Sequence, residues 1–236
     1  MSPTFSITVN GQTLPAETGD TVLSVCNKNN VPIPTLCHLD GLSEVGACRL
    51  CLVEVEGTNK LLPACVTMAA PNQKVQTETE RLQKNRRMAL ELFLTERNHI
   101  CAVCVVNGNC ELQNLAASLG VTSVRLPFLD PACDLDASNS TFILDHNRCI
   151  MCTRCVRVCD EVEGAHNWNI MGRGTGSRII ADFNQPWSES TTCTYCGKCV
   201  NVCPTGALWK KGSAPGVYLK HPDSVPQLVI RRKAQS

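Results

Sequence analysis

Cys193, Cys196, Cys199 and Cys203 stand in the run C-T-Y-C-G-K-C-V-N-V-C-P, closed by Pro204. Three thiols at C-x2-C-x2-C spacing can wrap three corners of an iron–sulfur cube. The fourth, set further on before a proline, completes the spacing of a 4Fe–4S cubane. The chemistry this supports is one-electron transfer. A second copy, C-I-M-C-T-R-C-V-R-V-C, supplies Cys149, Cys152, Cys155 and Cys159. Structural zinc is the competing use of these thiols, but zinc sites usually take C-x2-C pairs far apart, without a third Cys in step.

Two further groups carry donors. Cys37, Cys48, Cys51 and Cys65 are separated by 10, 2 and 13 residues. Plant-type 2Fe–2S sites place one Cys, then a C-x2-C, then a distant fourth. This chain keeps that order with a longer first interval, which suits a 2Fe–2S cluster, with structural zinc as the alternative. His38 adjoins Cys37, but four thiols already complete the site. The other group is Cys101, Cys104 and Cys110, with His99 two residues ahead. A cubane needs a fourth ligand there. His99 is the nearest candidate, and Cys133 or water are the alternatives. Cys26 reads as a small core residue on an apolar helix face. Cys133 lacks a partner at ligand spacing, and neither is assigned to a site.

Composition agrees with metal ligation. The chain has 236 residues and 17 Cys. In a chain this long, Cys clustered in C-x2-C groups argue for a reducing compartment, the cytoplasm, rather than a disulfide scaffold. The N-terminus alternates apolar and polar residues, with no basic and then apolar stretch of a signal peptide. No apolar run approaches the roughly 18 residues of a membrane span. The formal charge of +1 counts every Cys as neutral. Thiolates loaded with four clusters would carry the protein to about −6. That balance and the 4% aromatic content give no support for nucleic-acid binding. Gly172, Gly174 and Gly176 in M-G-R-G-T-G-S lack the strand–turn–helix frame of a dinucleotide site and read as a loop. The chain itself is expected to bind neither NAD, flavin nor nickel.

The elements that must position these donors read as α+β. Residues 1–78 form one unit. Phe5–Val9 and Gln12–Leu14 flank the turn signal Asn10–Gly11, and Thr21 can cap a short helix carrying Val22, Leu23, Val25 and Cys26. A long loop, Val31–Cys51, leads to strands at Leu52–Glu56 and Lys74–Thr79. This suits a β-grasp 2Fe–2S ferredoxin. Residues 79–120 read as a small helical His/Cys-ligated 4Fe–4S domain. Its first helix, 80–97, has a candidate stripe of Leu82, Ala89, Leu92 and Phe93, and its second, Glu111–Leu119, stops at Gly120. Residues 121–140 are a connector, and 141–210 hold the duplicated cubane runs. Residues 211–236 read as an extended arm. Its Val217, Tyr218, Leu219, Leu228, Val229 and Ile230 are candidates to pack on a partner.

The paired runs resemble bacterial two-cluster ferredoxins, in which the fourth Cys of each run serves the other cluster. That resemblance implies Cys203 with Cys149, Cys152 and Cys155, and Cys159 with Cys193, Cys196 and Cys199. The whole order resembles a wider family. V-P-I-P-T-L-C-H-L-D-G-L-S-E-V-G-A-C-R-L-C-L-V-E-V-E-G is similar to the N-terminal 2Fe–2S region of the large iron–sulfur subunit of respiratory complex I. N-H-I-C-A-V-C-V-V-N-G-N-C-E-L-Q is similar to its His- and Cys-ligated cubane module, although only Ile100 separates His99 from Cys101, where the family usually has three residues. R-C-I-M-C-T-R-C-V-R-V-C-D-E-V-E-G resembles the next segment. The array also resembles the accessory domains of iron-only hydrogenases. Both sets of relatives continue into further domains, whereas this chain stops about 30 residues after Cys203. It therefore most resembles the iron–sulfur diaphorase subunit of bidirectional NAD(P)-linked nickel–iron hydrogenases. The resemblance implies one 2Fe–2S and three 4Fe–4S clusters, a flavin- and NAD(P)-binding diaphorase partner, nickel–iron hydrogenase subunits, and a soluble ferredoxin as a further partner. The alternatives are a stand-alone ferredoxin-like carrier, or a relay subunit of a formate dehydrogenase or an electron-bifurcating complex.

Overall fold

Asn10 and Gly11 both take left-handed backbone (φ 51 and 83), the geometry of a tight hairpin turn. They join β1 (Thr4–Val9) to β2 (Gln12–Glu17) in a full antiparallel register from Thr4↔Glu17 to Val9↔Gln12. The structure, a computed structural model, describes residues 4–233. Residues 1–3 of the first expected unit and 234–236 of the expected arm lie outside the described residues. After the hairpin, the Thr21 hydroxyl accepts from the Ser24 N–H at 3.1 Å and starts α1 (Val22–Lys28). The strands β3 (Leu52–Val55), β4 (Leu61–Pro63) and β5 (Lys74–Gln76) complete a five-stranded mixed sheet of order β2-β1-β5-β3-β4. Only the β1–β5 pairing in it is parallel. Ile7, Val9, Leu14 and Ala16 alternate onto one face and bury Val22, Leu23, Val25 and Cys26 of α1 beneath them. Cys26 is thus a core residue, and burial pushes its thiol up to about 11.

The second unit begins at α2 (Glu80–Thr95), capped by the Thr79 hydroxyl. Its inward stripe runs through Leu82, Arg86 and Leu90, while Leu92, expected in the stripe, faces solvent. After a single turn at Cys101–Val103, α3 (Glu111–Ser118) ends at Gly120, whose φ of 67 suits a helix stop.

The cubane runs are framed by short strands that the sequence does not announce. These are β6 (Leu135–Asp136), β7 (Phe142–Asp145), β8 (Trp168–Met171), β9 (Arg178–Ala181) and β10 (Leu208–Lys210). β10 returns to pair with β7, closing a sheet of order β10-β7-β6 around both runs. Residues 172–176 are the turn of the β8–β9 hairpin. A Cβ on Gly172 would meet the Gly176 carbonyl oxygen at 2.4 Å. Between the strands lie α4 (Arg154–Arg157), continued by a π-helical turn over Val158–Glu163, and α5 (Lys198–Val202).

The last segment differs from the extended arm expected of it. Ser224–Lys233 forms α6. Pro226 falls in its first turn, where a missing N–H costs nothing. Val225 is buried, and Leu228, Val229 and Tyr218 pack on the chain's own core beside Leu42, whereas Val217, Leu219 and Ile230 remain exposed. Among the described residues, no helix is long and apolar enough to cross a membrane.

Candidate metal centres

The duplicated runs fold alike. Met151 and Thr153 are left-handed (φ 51 and 60), and so are their counterparts Tyr195 and Gly197 (φ 57 and 70). Alternating the backbone in this way turns successive N–H groups to one side and makes an anion-binding concavity. The first C-x2-C repeats the device at Arg49 (φ 56). The N–H groups of these turns point at sulfur: Leu50 toward Cys48, Met151 toward Cys149, Arg154 toward Cys152; Leu36, from the loop before Cys37, also points toward Cys48.

The structure brings the two runs together in crossed fashion. One concavity is lined by Cys149, Cys152, Cys155 and Cys203, with Leu144, Ile179 and Leu208 around them. The other is lined by Cys159, Cys193, Cys196 and Cys199. The aromatic wall of the second is Trp187, stacked on Phe142 at 5.7 Å and edge-on to Trp168 at 4.6 Å. The Trp187 indole N–H donates to Cys193 Sγ at 3.3 Å. Burial raises the thiols of Cys149, to about 12, and Cys152, to about 11. Cys203 goes the other way. Burial acts to raise it, but the Lys220 ammonium and the backbone N–H groups of Thr205 and Leu208 carry it below its ordinary value. Lys220 Nζ donates to the Cys203 carbonyl at 2.9 Å and also to that of Thr205.

Cys37, Cys48, Cys51 and Cys65 are all buried in the first unit, with Cys51 and Cys65 sulfurs 3.5 Å apart. Their loop is held from α2. The Arg86 side chain, fully buried, donates to the carbonyls of Leu50 and Leu52, each at 3.1 Å, and to Glu78 at 3.3 Å. His38 is occupied by Glu44 and Asp40 carboxylates rather than turned to the thiols.

His99, Cys101, Cys104 and Cys110 line a single cavity of about 400 Å³, closed by Leu112, Arg148 and Gly206. Gly206 lies hard against it: an added Cβ would stand 2.4 Å from Cys104 Sγ and 3.1 Å from the Arg148 side chain. The backbone of Phe93 hydrogen-bonds the His99 ring, while His99 Nε2 is buried without any partner. Burial, and then the charge of Arg148, push the ring down to about 4, so it is a neutral imidazole with a free lone pair. A metal-ligating histidine has this arrangement, one nitrogen anchored to the protein and the other offered. Cys133 is not among the lining residues; its carbonyl accepts from Asn147 at 3.3 Å.

Soft thiolates on backbone nests and one orphaned imidazole nitrogen make a donor set that fits iron–sulfur clusters. Among the described residues, no group of three or more His, Cys, Asp or Glu closes on a single ion. No cysteine is in a disulfide among the described residues. Sequence reasoning missed Arg86, Gly206, Trp187 and Lys220. Arg86 had a signal, a lone cation midway along the Leu82–Leu90 stripe.

A model described as a 2Fe-2S iron-sulfur cluster binding domain matches residues 2–80. The NADH-ubiquinone oxidoreductase-G iron-sulfur binding region matches 86–125, and the NADH-quinone oxidoreductase subunit 3 ferredoxin-like domain matches 141–209. The G 2 subunit of NADH-quinone oxidoreductase from Rhizobium meliloti (strain 1021) is 37% identical over 86% of this chain and 24% of its own length. The HndD subunit of the NADP-reducing hydrogenase from Solidesulfovibrio fructosivorans is 36% identical over 86% of this chain and 36% of its own. The chain thus spans about a quarter to a third of these curated relatives. A chain of the NAD+-reducing NiFe-hydrogenase, solved in the H2-reduced state, superposes with a TM-score of 0.85 at 32% identity. That alignment covers 95% of this chain and 96% of the hydrogenase chain. A 2Fe–2S domain followed by ferredoxin-type cluster domains, aligned almost end to end with that subunit, places this chain in the family of iron–sulfur electron-transfer subunits to which the hydrogenase chain belongs.

Proposed function

We propose that this chain is the electron-relay subunit of an NAD(P)-linked nickel–iron hydrogenase. It carries single electrons between a flavin- and NAD(P)-binding diaphorase partner and the hydrogenase subunits, with a soluble ferredoxin as a further exchange partner. The observation that carries the reading is the near-complete mutual coverage with the hydrogenase chain. In this reading residues 1–78 are a β-grasp 2Fe–2S domain, supported by the mixed sheet with its parallel β1–β5 pair. Residues 79–120 are the His/Cys cubane domain, 121–140 a connector, 141–210 a two-cluster ferredoxin domain and 211–236 a C-terminal segment. Free thiols in such number suit a reducing cytoplasm.

Cys37, Cys48, Cys51 and Cys65 would hold a 2Fe–2S cluster. His99, Cys101, Cys104 and Cys110 would hold one 4Fe–4S cluster, Cys149, Cys152, Cys155 and Cys203 a second, and Cys159, Cys193, Cys196 and Cys199 a third. Bound clusters supply reversible one-electron storage. The chain's own residues set the terms of it. Backbone N–H groups at Leu50, Met151 and Arg154 and the Trp187 indole stabilise negative charge on sulfur. Leu144, Ile179 and Leu208 exclude water from one concavity, and Phe142 and Trp168 from the next.

Tagging this chain and purifying it under anaerobic conditions tests the proposal. A flavoprotein and a nickel protein should accompany it, and the chain should carry about 14 iron atoms. Isolation without flavin or nickel partners would support a stand-alone carrier instead. Substantial zinc in a fresh, active sample would refute the 2Fe–2S assignment.

His99 gives a second expectation. A neutral imidazole in place of a thiolate removes one negative charge and favours the reduced state, as in Rieske centres. His99→Cys should therefore lower the potential of this cluster. His99→Ala should weaken it or convert it to a three-iron form. Nitrogen hyperfine coupling on the reduced cluster checks the ligand directly. Absence of a strongly coupled ring nitrogen, with an unchanged spectrum in His99→Ala, would show that another group is the fourth ligand.

A further inference from the structure

Arg157 lies on α4 between Cys155 and Cys159, and only 6% of it is exposed. All of its guanidinium nitrogens are engaged. Nη1 donates to the Ser43 carbonyl at 2.5 Å. Nη2 donates to the carbonyls of Cys37 at 2.5 Å and Cys152 at 3.2 Å. Nε reaches the Thr153 hydroxyl at 3.4 Å. One buried cation therefore joins the backbone of a donor in the first unit to the backbone of a donor in the first cubane run. The join spans 120 residues of sequence.

The neighbourhood reinforces the clamp. One turn further on, the Glu161 carboxylate accepts from the Ser43 N–H at 2.8 Å and from its hydroxyl. Arg157 thus takes the carbonyls of the 37–43 loop, and Glu161 takes its donors. Leu39 and Leu42 of the same loop pack into the core of the cubane domain. Against Gly41, an added Cβ would lie 3.2 Å from Val229 and 3.3 Å from Pro226 of α6. A buried charge is costly unless hydrogen bonds and counter-charge compensate it. Here the carbonyls supply the hydrogen bonds. Thiolate-ligated clusters on both sides would supply negative charge.

We propose that Arg157 is a positioning residue that docks the centre of Cys37 against the centre of Cys152 and stabilises the reduced form of both. The proposal rests on the ligand reading above. Reduction adds one negative charge to a centre, and a fixed cation hydrogen-bonded to a ligand residue of each favours that state. The planar fork matters as well as the charge, because an ammonium on a flexible stem cannot hold these three carbonyls in one geometry.

The test uses the complete holoprotein in its complex, with Arg157→Gln and Arg157→Lys. Redox titration followed by electron paramagnetic resonance reads the midpoint potential of each centre. Spin–spin broadening between the two reduced centres reads their separation. In Arg157→Gln both potentials should fall by the equivalent of threefold or more in the reduced-to-oxidised ratio, about 28 mV for one electron. The centre of Cys159, Cys193, Cys196 and Cys199 should shift less. In Arg157→Lys the potentials should stay within threefold, but the broadening should weaken. Potentials and broadening that match wild type in both variants would overturn the proposal alone. If Arg157→Gln does not assemble its clusters, Arg157→Lys decides, and unchanged broadening there overturns it. Wild-type protein lacking either signal would overturn the ligand assignment and this proposal with it.

Discussion

Cys203→Ser should empty the centre of Cys149, Cys152 and Cys155 first, although Cys203 belongs by sequence to the other run. Its concavity contains Cys203 together with those three thiols. Cys203 itself is held by Lys220 on its carbonyl and by backbone N–H groups on its sulfur. The converse substitution, Cys159→Ser, should empty the centre of Cys193, Cys196 and Cys199, which share a concavity with Cys159. Cys159 lies in the π-helical turn Val158–Glu163 that continues α4, and Cys203 lies just past the end of α5. Each variant should lose about four of about 14 iron atoms per chain. Paramagnetic spectra identify which cubane is gone. If each variant loses the cluster of its own run, the crossing is wrong.

Deleting residues 214–236 should damage the cluster protein itself, a larger effect than weakened assembly with a partner. The segment crosses both cubane units before α6 begins. Gly216 N–H donates to the Cys104 carbonyl and Tyr218 N–H to that of Val105, each at 3.1 Å. Lys220 then reaches the Cys203 carbonyl, and Val225 is buried in the cubane core. Burying one such apolar side chain contributes about 1.5–3 kcal/mol, so Val225 with the half-buried Tyr218, Leu228 and Val229 counted at half each amounts to roughly 4–7 kcal/mol, less for a compact unfolded chain. The truncated protein should lose iron from the centres of Cys104 and Cys203 and hold the rest for a shorter time on warming. Iron content and thermal inactivation half-life measure this. Full iron content at wild-type half-life would return the segment to the role of a partner-docking arm.

The chemistry was legible because ligand spacing is local. C-x2-C-x2-C writes three corners of a cube into seven residues, and Thr21, Gly11 and Gly120 mark their elements by backbone rules that need no tertiary contact. The short strands were not legible. β6 is only Leu135–Asp136, and β4 contains Pro63, tolerated because β4 is a sheet edge. Pairing, not propensity, makes these strands. The partners of Arg86 and Arg157 are not local in sequence: only the folded chain brings the carbonyls of Leu50, Leu52, Cys37 and Ser43 to meet them. α6 was hidden by Pro226, which argues against helix everywhere except in a first turn. For His99 the sequence supplied the residue, and the fold supplied its anchoring by Phe93 and the unpartnered nitrogen.

The most direct measurement is reduction of the chain's clusters from each end of the purified complex. Under hydrogen, and separately under NADH or NADPH in the absence of hydrogen, paramagnetic spectra should show the same set of reduced centres in this subunit. Cys203→Ser should cut electron flow between the two donors while each partner still reacts with its own artificial acceptor. Clusters that stay oxidised under both donors, or full hydrogen-to-NAD(P)⁺ electron flow in a complex stripped of this subunit, would contradict the proposed relay role.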